Sequence, residues 1–353
     1  MQKLILTIIF YCLIMFSLPF KLLLADSDNT NINSKSNEVN IYSARKSYLL
    51  RPLLDAFEKD TNIKVNIISG KAKVLQKRIE QEGKNTRADV LLTVDAGNLY
   101  EAKKKNLLKK INSKQLDMLI PKNLRDDDGF WYGLSIRSRV IMFNPLSVNV
   151  KDLSTYEDLA HKKWKGKICM RSSGNIYNQS LLASLITHLG EKEAKNWAKS
   201  VVSNFARDPK GNDRTQMTSV VLGECDLTLA NTYYLGKWMA SKKEVERKYA
   251  KKISIFFPNQ ESRGAHINIS GAAIIKYTKN LDNAIKLIEY LADDKAQELY
   301  ARANHEYPIR DTINLSKIVY SWGYPFKHDQ INLNQLGVNN SKAAKIFDEV
   351  NWQ

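Results

Sequence analysis

Cysteine is nearly absent from this 353-residue chain, which has only Cys12, Cys169 and Cys225. With no CxxC pair, zinc-ribbon chemistry is excluded. Histidine is also scarce: His161, His188, His266, His305 and His328 show neither HExxH nor HxH spacing. GxSxG, Walker A and a convincing GxGxxG are missing too, so the common hydrolase, nucleotide and dinucleotide chemistries have no foothold and the chain does not read as an enzyme. Nothing after Ala25 is long and apolar enough to cross a bilayer. Internal repeats are lacking.

Negative charge is in short supply as well. Lys and Arg number 54 against 37 Asp and Glu, a formal net charge of +17. Such a balance raises nucleic acid, a membrane surface or an anionic ligand as partners. The basic residues are dispersed, however, with acids interleaved along most of the expected helices. No basic block accompanies an RNA-binding or helix-turn-helix signature, so nucleic acid is not an expected partner.

The first residues carry a strong signal. Lys3 precedes an almost unbroken apolar run over residues 4–20, and the polar stretch DSDNTNINSKSNE follows Ala25. That order reads as a secretory signal peptide over 1–25 and a polar leader over 26–37, with an uncleaved anchor as the alternative. Ala25 suits a cleavage site, Leu23 does not, and Cys12 lacks the small residues of a lipobox. Without the signal, about 328 residues remain at +15, enough for two domains. Cys169 and Cys225 lie in strand-like contexts, KGKICM and GECDLTL. An oxidising compartment allows them to pair, and two separate buried thiols are equally ordinary.

VNIYSA, IKVNIIS and ADVLLTVD read as strands. Between them, helical spacing appears over Tyr48–Thr61 and in AKVLQKRIEQEG. Alternation of this kind predicts a parallel, doubly wound α/β sheet, in which ligands sit at the carboxyl ends of strands. WYGLSIRSRVIMFNP is a long strand carrying Arg137 and Arg139. A second αβ set follows it, then the strand HINISGAAIIKY, a helix pair from DNAIKLIEYLADDKAQELYAR, and a helical tail. The simplest topology is two lobes between which the chain crosses more than once.

Three expected strand ends carry chemistry. In ANTYYLGKW, Tyr233 and Tyr234 follow a strand and open a helix, where neighbouring side chains differ by about one hundred degrees and both phenols can reach one cleft. A tyrosine pair taken alone is more often simple packing. RSSGNIYNQS sets Ser172, Ser173 and Gly174 between a strand and a helix, a place for an anion, with Tyr177 in the first helical turn. IYSARKSYL follows the first strand with Arg45, Lys46 and Tyr48; Tyr42, inside the strand, reads as core. Together these segments present four tyrosines. Phenolate is a hard oxygen donor that suits Fe(III), and nearby Arg45, Lys46 and Lys237 offset the negative charge that four phenolates would create.

These segments, in this order, resemble the ferric-iron-binding periplasmic proteins of bacterial ABC importers, in particular the cyanobacterial branch. The likeness runs from about Val39 to Asp311. It is carried by IYSAR, FEKDTNIKVNIISGKA, ADVLLTVDAGNL, RSRVIMFNP, WKGKICMRSSGNIYNQS, LANTYYLGK, ISGAAI and EYPIR. It implies the type II periplasmic-binding-protein fold, two α/β lobes hinged by strand crossovers, with 38–139 and 264–316 as one lobe and 140–263 and 317–353 as the other. It implies a periplasmic, monomeric protein that hands Fe(III) to a membrane permease and its ATPase. The implied ligands are Tyr48, Tyr177, Tyr233 and Tyr234. A synergistic anion such as carbonate would lie near Ser173, Gly174 and Asn231. Two departures stand out. Lys46 and Ser47 occupy the place where the family often has a histidine, and Lys237 stands where some relatives have arginine, which alone offers a bidentate fork. Asp95 stands where another branch places a carboxylate ligand. Polyamine, thiamine and oxyanion binders share the fold and form the competing reading.

Overall fold

The computed structural model describes residues 37–353. The expected signal peptide, Cys12 and all but the last residue of the expected polar leader lie outside the described residues.

Among the described residues nine strands form one sheet: β1 (Glu38–Ser43), β2 (Lys64–Ser69), β3 (Val90–Val94), β4 (Leu108–Lys109), β5 (Tyr132–Phe143), β6 (Ile168–Cys169), β7 (Leu227–Asn231), β8 (Ser254–Phe256) and β9 (Ile267–Ile275). The order is β2-β1-β3-β9-β5-β7-β6, with β4 on β9 and β8 on β5. The first three strands pair in parallel, as their alternation with helices predicts. The sheet as a whole is mixed rather than parallel, because β5 and β9 run antiparallel to their neighbours.

Helix Ser47–Thr61 joins β1 to β2 and buries Leu50, Leu53, Leu54 and Phe57, the apolar spacing seen in the sequence. It ends on Asn62, whose left-handed backbone (φ 57°) turns its N–H back to the Glu58 carbonyl. The strand expected in KGKICMRSS shrinks to two residues, since only Ile168 and Cys169 find partners on β7. Cys169 and Cys225 form a disulfide with Cα atoms 5.8 Å apart, which decides a pairing the sequence left open.

What positions the site is the long strand β5. Its first part, Tyr132–Ser138, pairs with β9, and its second part, Arg139–Phe143, pairs with β7 and β8. Through β9, Val94 at the end of β3 aligns with Ser270, which aligns with Ser135. From the other side, Asn231 at the end of β7 aligns with Arg139. Strand ends from both groups therefore converge on the five residues Ser135–Arg139. The C-terminal tail spans both groups: helix Asn334–Val338 packs against helices Ala96–Lys104 and Ile176–Leu189. Gly337 permits this contact, because a Cβ there would lie 2.2 Å from Tyr100 Cγ.

The disulfide closes a loop across a sequence separation of 56, which restricts the unfolded chain. Replacing both cysteines by alanine should lower unfolding stability by about 2–4 kcal/mol in urea titrations under non-reducing conditions. An unchanged midpoint would show that the bridge contributes nothing.

Candidate metal centre

Asn231 ends β7 with extended backbone, and helix Thr232–Met239 begins at once. Tyr233 and Tyr234 thus fall in its first turn, with ring centroids 4.3 Å apart. Across from them, Asn175 caps helix Ile176–Leu189 by accepting a hydrogen bond from the Tyr177 N–H. That cap aims Tyr177 at the same point, and its hydroxyl lies 3.5 Å from that of Tyr233. Tyr48, in the first turn of helix Ser47–Thr61, completes the lining of one cavity of about 420 Å³. Three phenols meet in a partly buried cluster, while Tyr48 lines the same cavity from helix Ser47–Thr61 and is 62% exposed.

Burial, the neighbouring hydroxyls of Tyr177 and Tyr234, and Asp213 push the Tyr233 phenol well above its usual value. Tyr234 is pushed up by burial first and by Asp213 and Tyr177 next. Both are neutral phenols at pH 7 without a bound cation. A multivalent cation is what converts such groups to phenolates, by direct coordination and proton release.

The surroundings are strongly cationic. Arg45, Lys46, Arg137, Arg171, Arg214 and Lys237 line the cavity against one acid, Glu306. Glu306 is already committed, since it accepts two hydrogen bonds of 2.9 Å from Arg45 and another from Ser135. Burial would raise its carboxyl, but Arg45, Arg137 and these hydrogen bonds override burial and hold its pKa at about 2. Its place is fixed by the backbone: Tyr307 and Ile136 exchange hydrogen bonds of 2.7 and 2.8 Å, bringing Glu306 beside Ser135 on β5.

On the other side, buried Asp213 accepts from Arg139 at 2.9 Å and from Arg171. The guanidinium carbons of Arg137 and Arg171 lie 5.7 and 5.9 Å from the centre of the Tyr177 ring. Arg137 makes no ion pair among the described residues, and it donates to the Ile269 carbonyl and to Ser270. Lys237 Nζ sits 4.9 Å from the Tyr233 ring centre. Burial lowers its pKa to about 8, Glu306 opposes that, and Arg45, Arg214 and Lys46 lower it further.

Arg45 and Lys46 line the cavity, but Arg45 is 4% exposed and bound to Glu306. Ser173 and Gly174 precede helix Ile176–Leu189 without lining the cavity, and the Ser173 carbonyl accepts from Gln179. Asn231 is buried at the end of β7, also outside the lining, and its Nδ2 has no partner among the described residues. Asp95 is fully buried and holds Ser180 (2.8 Å to each oxygen), Asn268 and the Gly97 amide, with none of its side chain on the cavity. Sequence reading assigned no role to Glu306, Arg171, Arg214 or Asp213. The segments EYPIR and MRSSG contained the first two, but nothing local in them marks a buried carboxylate or a cation over an aromatic ring.

A model of the bacterial extracellular solute-binding proteins matches residues 85–327. This chain belongs to that family. It is 44% identical over 328 residues to iron uptake protein A1 of Synechocystis sp. strain PCC 6803, covering 93% of this chain and 91% of the relative. Iron uptake protein A2 of the same organism is 41% identical over 323 residues, covering 91% and 92%. Among solved structures, a Trichodesmium protein in complex with iron and citrate is 46% identical with a TM-score of 0.87, covering 90% of this chain and all of that one. The ferric binding protein from Campylobacter jejuni is 42% identical with a TM-score of 0.84, covering 89% and 100%. The fold is therefore the two-lobe type II arrangement of periplasmic binding proteins, with β5 and β9 as the crossing strands.

Glu306 gives this centre a pH signature. Its carboxyl falls from an ordinary 4.5 to about 2 on folding, so its stabilisation is complete above pH 4.5 and is lost as pH drops toward 2. Glu306→Gln should cost about 3–5 kcal/mol at pH 7, because Arg45 is left buried without a counter-charge. It should also flatten the stability profile between pH 4.5 and 2, as measured by urea unfolding at each pH.

Proposed function

We propose that this protein is a periplasmic solute-binding protein that captures Fe(III) in the cleft and delivers it to the permease and ATPase of an ABC importer. The observation that carries the reading is the convergence of Tyr177, Tyr233 and Tyr234 on one point in a cationic cleft. Relatives at 41–44% identity bear names of iron uptake and ferric binding, and one at 46% is solved in complex with iron and citrate. Tyr177, Tyr233 and Tyr234 are the ligands, and Tyr48 joins them from helix Ser47–Thr61 as the cleft narrows. The lobes divide as 38–139 with 264–316 and 140–263 with 317–353, and the protein acts as a monomer.

A hard trivalent ion selects these hard oxygen donors. Three phenolates neutralise Fe(III) and a fourth leaves one negative charge, which Arg137, Arg171, Lys46 and Lys237 are placed to offset. The same cations suit an anion that completes the coordination, such as carbonate or a carboxylate chelator. In this role they replace Ser173, Gly174 and Asn231, which stand back from the cavity. A polyamine site would need free carboxylates, and the one acid on the lining is bound to Arg45.

Adding ferric citrate should produce a visible phenolate-to-iron charge-transfer band and raise the melting temperature. Tyr233→Phe combined with Tyr234→Phe should abolish the band. A colourless protein with unmoved melting would sink the iron reading. Because Tyr233 and Tyr234 are protonated in the free protein, their coordination should release protons. Apparent affinity should then fall by about a hundredfold for each unit drop in pH from these two phenols, before correction for iron hydrolysis. A pH-independent affinity would mean that phenolates are not the ligands.

A further inference from the structure

The sheet register fixes what lies at the pole opposite the tyrosines. Ile168 of β6 aligns with Leu227 of β7, Leu227 with Phe143 of β5, and Phe143 with Ser254 of β8. This row is one end of the sheet, and Asn231, which leads to Tyr233, is at the other. Four segments emerge together past the row: 144–152 after β5, 162–167 before β6, 222–226 before β7 and 251–253 before β8. Neighbouring strands are about 4.8 Å apart, so the segments share a face roughly 15 Å across at its base. Hydrogen bonds join them, from Asn144 N to the Asp226 carbonyl, from Asp226 N to the Lys167 carbonyl, and from Lys163 Nζ to the Asp152 carbonyl.

Two properties coincide on this face. Lys151, Lys162, Lys165, Lys251 and Lys252 are all exposed and form no ion pair among the described residues. The acids of the same segments are mostly engaged: Asp226 with Lys167 and Glu224 with Arg207, leaving Asp152 exposed. Among the lysines project apolar side chains. Leu146, at the tip of the turn after β5, is 94% exposed, the most exposed large apolar residue described, and Leu222 and Val150 are 62% and 52% exposed. An acidic protein surface would use the lysines and leave Leu146 without purpose. An anionic bilayer uses both, through attraction of lysines to headgroups and insertion of apolar tips at the interface.

We propose that this basic, leucine-tipped pole is a docking surface for an anionic lipid bilayer. Docking there turns the cleft at the opposite end of the sheet toward water. A membrane-held protein can thus still load its solute. The surface is independent of the iron reading, since none of its residues lines the cleft.

The test uses the chain from residue 26 onward, which retains the whole packed unit and omits an apolar leader that would itself enter lipid. Co-sedimentation is measured with vesicles of phosphatidylcholine alone and of phosphatidylcholine mixed with phosphatidylglycerol. Binding is expected on the mixed vesicles only and should weaken as salt rises. Lys165→Ala with Lys251→Ala and Lys252→Ala should lower vesicle affinity by about a hundredfold, at roughly fivefold per lysine. Leu146→Ser should weaken binding to vesicles but not to soluble polyglutamate. Circular dichroism and thermal melting should be unchanged in both variants, all the altered side chains being exposed. No binding to the mixed vesicles, or equal binding by the triple variant, would overturn the proposal. Insensitivity to Leu146→Ser, with equal binding to polyglutamate, would also overturn it in favour of an acidic protein partner.

Discussion

The structure turns on buried charge at the middle of β5. Ser135, Arg137 and Arg139 lie on one face of the strand, by the two-residue period of a pleat. Ser135 holds Glu306, which is paired with Arg45, and Arg139 holds Asp213, which also receives Arg171. Four guanidinium groups face two carboxylates, and all but Arg171 are buried. Buried charges are costly unless paired, and this arrangement is paired on both sides but not neutral. The surplus positive charge lies where Tyr177 and Tyr233 meet. A cluster of neutral phenols tolerates that surplus, and a cluster of phenolates around a trivalent ion answers it. The same charges that brace the crossing strands therefore set the electrical demand of the cleft.

Much of this was legible in the sequence because it is local. The helix Ser47–Thr61 follows from apolar spacing, the long strand from the strand-like stretch WYGLSIRSRVIMFNP, and Tyr177, Tyr233 and Tyr234 from their place in a first helical turn. In each case the information sits within a dozen residues. The members of the basic loop after β1 diverge. Arg45 turns inward to Glu306, and Lys46 and Tyr48 remain at the rim.

What could not be read is what depends on distant pairing. Glu306 is 261 positions from Arg45, and Asp213 is 74 from Arg139, so no window of sequence contains both partners. The mixed character of the sheet has the same origin, because the direction of β9 against β3 is a property of the return path rather than of either strand. Ser173 and Gly174 had the chemistry of an anion site, but the Ser173 carbonyl accepts from Gln179 and neither residue lines the cavity. Asp95 similarly had the chemistry of a ligand and is used instead to join Ser180 to Asn268.

The pairing of β3 with β9 also bears on how the chain acquires its shape. Val94 meets Ser270, so one edge of the first parallel strands stays open until some 180 further residues have been made. Contacts of such sequence separation delay folding, since loop closure is paid before the contact rewards it. An open edge for that long invites pairing with other chains. Slow closure is tolerable in a family of extracellular solute-binding proteins, since the strand that seals the sheet is the last of the nine described to arrive.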